Sequence, residues 1–163
     1  MNEWRFSALL KEKLEELNTA PRLRMYALNF AEASYGWGKE SITSTDCSGL
    51  LSGALQFMGY NIRTTADKFY KVAFKDTDRS FYKDRVTCIF FVDGDNHAGH
   101  MGLHMSADVV LHASGSRGVT FDSKFDLMDE YDEKGYTPIT LELDWEALEE
   151  LDGEVSGLDA DYV

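Results

Sequence analysis

Three residues have the types that nucleophilic acyl transfer needs: Cys47 in "STDCSGLLSGALQFMGY", His100 in "GHMGLHM" and His112 in "DVVLHAS". A thiol is mostly protonated at neutral pH and reacts slowly until a base takes its proton. An imidazole supplies that base, and a third polar group fixes which ring nitrogen carries the hydrogen. The chain has only two cysteines and four histidines. What matters is whether the fold gathers them.

Thr45 and Asp46 both have N-cap chemistry, which puts Cys47 in the first turn of a helix. From Cys47 onward, Leu50, Leu51, Ala54, Leu55 and Met58 continue one apolar face at helical spacing. The thiol therefore faces whatever the helix packs on, with Ser48, Ser52 and Gln56 on the opposite face. Gly59 suits the C′ position that closes the helix. Unpaired amides at a helix start favour a thiolate and offer N–H groups to an oxyanion. On helix position alone, a packed and inert cysteine is the commoner outcome.

The strands decide. "GHMGLHM" alternates, with His100, Gly102 and His104 on one face and Met101, Leu103 and Met105 on the other. The methionine face reads as core, and the histidine face as functional or solvated. A three-residue turn centred on Ala107 leads into "VVLHAS". In such a hairpin residues of equal parity share a face, so His100 and His112 become diagonal neighbours about 7–8 Å apart at Cα. Gly102 between them leaves room for a ring.

The elements that must hold these residues follow in order. Residues 3–18 carry Phe6, Leu9, Leu10, Leu14 and Leu17 at helical spacing. A second helix from Pro21 carries Leu23, Tyr26, Ala27 and Phe30 and is expected to end at "YGWG". Residues 61–84 read as either short helix or loop. From Val86 the pattern is β-rich: "VTCIFFV", with Cys88 as core, then the two histidine strands and "PITLEL". "WEALEEL" is a short acidic helix. Helices first and antiparallel strands afterwards predict an α+β fold. One domain is expected over 1–150, followed by an acidic tail at 151–163. His97, in the loop "DGDNHAGH", falls at a rim or in solvent, and His104 reads as a substrate contact or a solvated strand residue.

Charge excludes some functions. The formal net charge is −13, and nine acids lie between Glu142 and Asp161, with no Lys or Arg after Lys134. Such a chain has no electrostatic footprint for nucleic acid. Two cysteines make no disulfide framework and match no zinc pattern. No apolar run is long enough for a membrane span. The N-terminus has no secretory pattern, so synthesis and folding in the cytoplasm are expected.

"TDCSGLLSGALQFMGY", followed by "HMGLHMSADVVLHASG", resembles the NlpC-type peptidoglycan cysteine peptidases, a papain-like family. The likeness runs over about residues 22–125, and "SYGWG" resembles the aromatic and glycine element that precedes the family's cysteine. The resemblance implies a papain-like α+β fold with Cys47 as nucleophile, His100 as base and acid, and His112 as the orienting residue. It implies that Tyr35 lines the site and helps bind the oxyanion or substrate, and that Asp46 and Ser48 meet polar groups of the substrate. The implied partner is the peptidoglycan stem peptide, cut between γ-linked D-glutamate and the diamino acid, with no cofactor. Other readings are an amidase cutting between muramic acid and L-alanine, and amide or acyl transfer on the same fold. A different class altogether is a non-catalytic metal-binding protein built on His97, His100, His104 and His112. Without a secretory signal, the expected routes to the wall are a bacteriophage endolysin released through a membrane lesion, injection, or carriage in a phage tail.

Overall fold

The computed structural model describes residues 19–153 other than 38, 42, 43 and 79. The helix expected over 3–18, and the tail from residue 154 on, lie outside the described residues. The first described element, α1 (Thr19–Ala27), tightens into a 3₁₀ turn at Leu28–Phe30. Leu23, Ala27 and Phe30 are buried along its inner side. The helix thus ends before "SYGWG", earlier than predicted. Glu32 has a positive φ of 68° there, and the chain turns into extended structure. Ser34–Tyr35 form β1, which pairs in parallel with β3 (Ser44–Thr45), itself antiparallel to β2 (Glu40–Ser41).

That ribbon delivers the chain to α2 (Cys47–Phe57). Asp46 caps the helix, its carboxylate accepting the Gly49 amide at 2.6 Å. Gly59, at φ 98°, closes it as predicted. Every residue from Cys47 to Leu55 is buried, which corrects the expected polar face: Ser48 and Ser52 do not meet solvent. The reason is that α2 packs on α1 and on the sheet at once.

Residues 61–84 hold a short helix, α3 (Ala66–Lys68), capped by Thr65 and continued as a π-helical turn through Ala73. The sheet has six strands in the order β4-β9-β5-β6-β7-β8, all antiparallel. They are β4 (Phe74–Lys75), β5 (Thr87–Val92), β6 (Ala98–His104), β7 (Val109–Ser114), β8 (Gly118–Ser123) and β9 (Thr137–Leu143). The chain ends its described part with α5 (Trp145–Leu148) and a 3₁₀ turn. Mixed helices and an antiparallel sheet make this the α+β fold that the sequence predicts. Among the described residues no helix is long and apolar enough to cross a membrane.

Both sheet faces are covered. Cys88, Phe90, Met101, Leu103 and Leu111 pack with α1 and α2 in the main core. Ile89, Phe91 and Val110 on the other face are roofed by Leu127, Met128 and Tyr131 of α4 (Lys124–Glu133). Sequence periodicity missed α4 because "KFDLMDEYDE" offers few apolar residues and leaves Phe125 exposed. Its presence corrects a second expectation. His104 is only 3% exposed, neither solvated nor open to a substrate. Its Nδ1 lies 3.4 Å from the Ser106 carbonyl, and its Nε2 has no partner among the described residues.

Burial holds the His104 imidazole at about 4, below its usual 6.5, so the folded chain resists a proton that the unfolded chain accepts. Stability should be level above about pH 7 and fall between about pH 6.5 and pH 4, by up to about 3 kcal/mol from this group. Urea unfolding of His104→Leu should show a flatter acid limb than the parent. An unchanged limb would assign the acid sensitivity elsewhere.

Candidate active site

The site starts from a buried charge. Arg63, 1% exposed, lies against the start of α2. Its Nη2 donates to both Asp46 oxygens at 3.0 and 2.9 Å, and its Nη1 donates to Ser48 Oγ at 3.0 Å and the Thr64 carbonyl at 2.8 Å. Asp46 therefore caps α2 and neutralises a guanidinium together. Gly49 is required beside it, since a Cβ there would stand 2.0 Å from the Lys39 carbonyl.

Cys47 follows at the mouth of a cleft of about 350 Å³ lined also by Trp37, Ser48, Thr65, Asp67 and His97. Cys47 as a whole is only 9% exposed. Burial, with Asp46 adding, pushes its thiol up to about 12, while the nearby backbone of Met101 and Ser48 opposes the rise. Met101 lies where the strands part. The β6–β7 ladder has only the pairs Leu103↔Leu111 and His104↔Val110, centred on Ala107 as the alternation predicts. Beyond them the start of α2 meets the gap, one residue along β6 from His100.

Gly102 sets the next contact. A Cβ there would lie 2.4 Å from Val110 Cγ1 and 3.3 Å from the His112 Cβ. With that space open, His100 Nε2 and His112 Nδ1 come to 3.0 Å. His112 Nε2 continues to Asp122 Oδ2 at 2.6 Å, and Arg117 holds Asp122 by a fork of 3.0 and 2.6 Å. Tyr131 of α4 stacks on His100 at 4.9 Å with planes 7° apart. Buried under it, beside His112 and Lys134, His100 titrates down at about 3. Thiol and imidazole are thus both neutral at rest.

Of the residues expected here, His100 and His112 are hydrogen-bonded to each other, and Tyr131, stacked on His100, also feels Cys47. Tyr35 lies beside Cys47 and Asp46, its hydroxyl kept protonated by burial and by their charges, at about 12. Asp46 and Ser48 line the cleft, yet their polar atoms turn inward to Arg63. His97 sits at the exposed rim, 3.7 Å from Asp67. Among the described residues no group of three or more His, Cys, Asp or Glu is placed to hold a metal ion. Sequence reading missed Arg63 and Asp122. No pattern marks Arg63. Asp122 was findable, since "RGVTFDS" read as a strand after a tight turn would put it diagonal to His112, in the register His112↔Thr120 and Val110↔Asp122.

A family model described as NlpC/P60 matches residues 32–142. The chain belongs to the NlpC/P60 family. No curated protein sequence matches it. Among solved structures, this NlpC/P60 chain is similar to NlpC1 from Trichomonas vaginalis, at 19% identity and TM-score 0.57, over 75% of this chain and 42% of that one. It spans less than half the length of that relative. It is also similar to the NlpC/p60 domain of the peptidoglycan hydrolase SagA, at 15% identity and TM-score 0.56, over 76% of this chain and 97% of that one. RipD from Mycobacterium tuberculosis, described as a non-catalytic NlpC/p60 domain protein adapted to peptidoglycan binding, aligns at 16% identity and TM-score 0.57, over 75% of this chain and 95% of that one. At these identities the likeness is one of fold.

Two outcomes are expected. Arg63→Ala strips a buried carboxylate of its counter-charge and should cost about 3–5 kcal/mol in urea unfolding; a loss under about 1 kcal/mol would deny the pair its role. Iodoacetamide should label Cys47 and spare Cys88, which is fully buried. The Cys47 rate should climb steadily between about pH 6 and pH 10, as a neutral thiol requires. A plateau reached by pH 6 would show a thiolate–imidazolium pair instead.

Proposed function

We propose that this NlpC/P60 domain hydrolyses peptidoglycan stem peptides, with Cys47 as nucleophile, His100 as base and acid, and His112 as the orienting residue. The observation that carries this reading is the hydrogen-bonded line His100–His112–Asp122, which begins one residue along β6 from Met101, whose backbone bears on the Cys47 thiol. Cys47 attacks the amide carbonyl as its proton passes to His100, and an acyl-enzyme forms. The Ser48 amide and the protonated Tyr35 hydroxyl are donors within the site for the oxyanion. His100 then protonates the leaving amine, and water releases the acid. The bond we assign is that between γ-linked D-glutamate and the diamino acid, whose free amine suits a cleft lined by Asp67.

Binding without cleavage is the second reading. It draws on the quiet, neutral thiol and on the precedent of a non-catalytic domain of the same fold. Purified sacculi separate the two. The parent protein should release new amino groups, Cys47→Ala and His100→Ala should abolish the release, and His112→Ala should be milder because a mis-set ring works part of the time. Mass spectrometry should place the new end at the carboxyl side of D-glutamate. A cut between muramic acid and L-alanine would make the domain an amidase. Retention on sacculi with no release would establish binding alone, and digestion of casein at a similar rate would overturn the cell-wall reading.

A further inference from the structure

We propose that Asp122, held by Arg117, is a positioning residue that sets the tautomers of both His112 and His100 and so decides whether the base facing Cys47 is available. The inference rests on the hydrolytic reading of Cys47 and His100 and adds two residues to it.

The reasoning is proton by proton. An ionised carboxylate only accepts hydrogen bonds. Asp122 Oδ2 lies 2.6 Å from His112 Nε2, so His112 Nε2 carries the hydrogen. Burial lowers the affinity of His112 for a second proton despite the carboxylate, so the ring is neutral and its Nδ1 is a lone pair. That lone pair faces His100 Nε2 at 3.0 Å, and the bond forms only if His100 Nε2 is the donor. His100, with a single ring hydrogen so placed, keeps Nδ1 free to accept the thiol proton.

The reverse arrangement satisfies the histidine pair equally well. In it His112 Nδ1 donates to His100 Nε2, and His100 carries its hydrogen on Nδ1, where it blocks proton uptake. Only the charge at the far end separates the two. Arg117 is the first cause of the low carboxyl affinity of Asp122 for protons, with its fork on both oxygens. The Arg117 amide also bonds Ser114 Oγ at 3.3 Å, fixing the β7–β8 turn. The other charges bearing on this line are Glu130, which acts on His112 and Arg117, and Lys134, which acts on His100. Neither lies within hydrogen-bonding reach of the rings, so neither selects a tautomer.

The test pairs kinetics with nitrogen-15 NMR of the imidazole rings. Asp122→Ala should lower kcat on stem peptide by about 10–100-fold, the range for removing a partner one shell out, with KM within about twofold because Asp122 is remote from the cleft. Asp122→Asn, whose amide oxygen still accepts a hydrogen bond, should recover part of that loss. In the parent both rings should be protonated at Nε2, whereas in Asp122→Ala a substantial fraction of His100 should carry its hydrogen at Nδ1. Full kcat in Asp122→Ala, or an unmoved His100 tautomer, would overturn the proposal. If Asp122→Ala fails to fold, the isosteric Asp122→Leu, which cannot accept a hydrogen bond, decides by the same spectra. If the parent cleaves nothing, the hydrolytic reading fails by itself, and the tautomer measurement still judges Asp122.

Discussion

A guanidinium shut away from water governs the geometry of this molecule. Arg63 must be matched where it lies, and the Asp46 carboxylate that matches it is also the cap of α2. A buried pair of this kind adds little net stability compared with well-packed apolar groups, but it penalises every arrangement that separates the partners. The start of α2 therefore has one position. From that position the helix start meets β6 and β7, and the gap between them has a defined occupant.

The second requirement is a dry imidazole. α4 supplies it by laying Tyr131 parallel to the His100 ring, while Phe91 flanks the same ring at 6.0 Å. Stacking fixes the plane of the ring and the hydrogen bond to His112 fixes its rotation, so one orientation survives. The same burial keeps thiol and imidazole neutral.

How much of this was legible follows from the ranges of the signals. Parity along "GHMGLHM" and "DVVLHAS" is local, and it gave the correct hairpin centre and the correct neighbours for His100. The N-cap at Asp46 and the close at Gly59 are local too. Cys88 and His97 lie where their surroundings put them, in the core and at the rim. What escaped depends on distant partners. Ser48 reads as solvent-facing until Arg63 is known to lie against it, 15 residues on. His104 reads as exposed until α4 is known to cover the sheet, and α4 is too weakly amphipathic to announce itself. Asp122 was hidden because the strand carrying it follows a turn of small residues and was not read as a strand.

The sheet divides the site between its two sides. The cleft lies on the side of α2, whereas the Asp122–Arg117 end of the histidine line lies on the side of α4, with Arg117 about half exposed. Cys47, at the gap between strands, is where the two sides meet. Selection can therefore act on them separately. Changes at Trp37, Thr65 or Asp67 reshape the cleft without touching the histidine line, and changes around Arg117 act on that line without reshaping the cleft. A lineage carrying this arrangement can remodel one side of the sheet while the other is left intact.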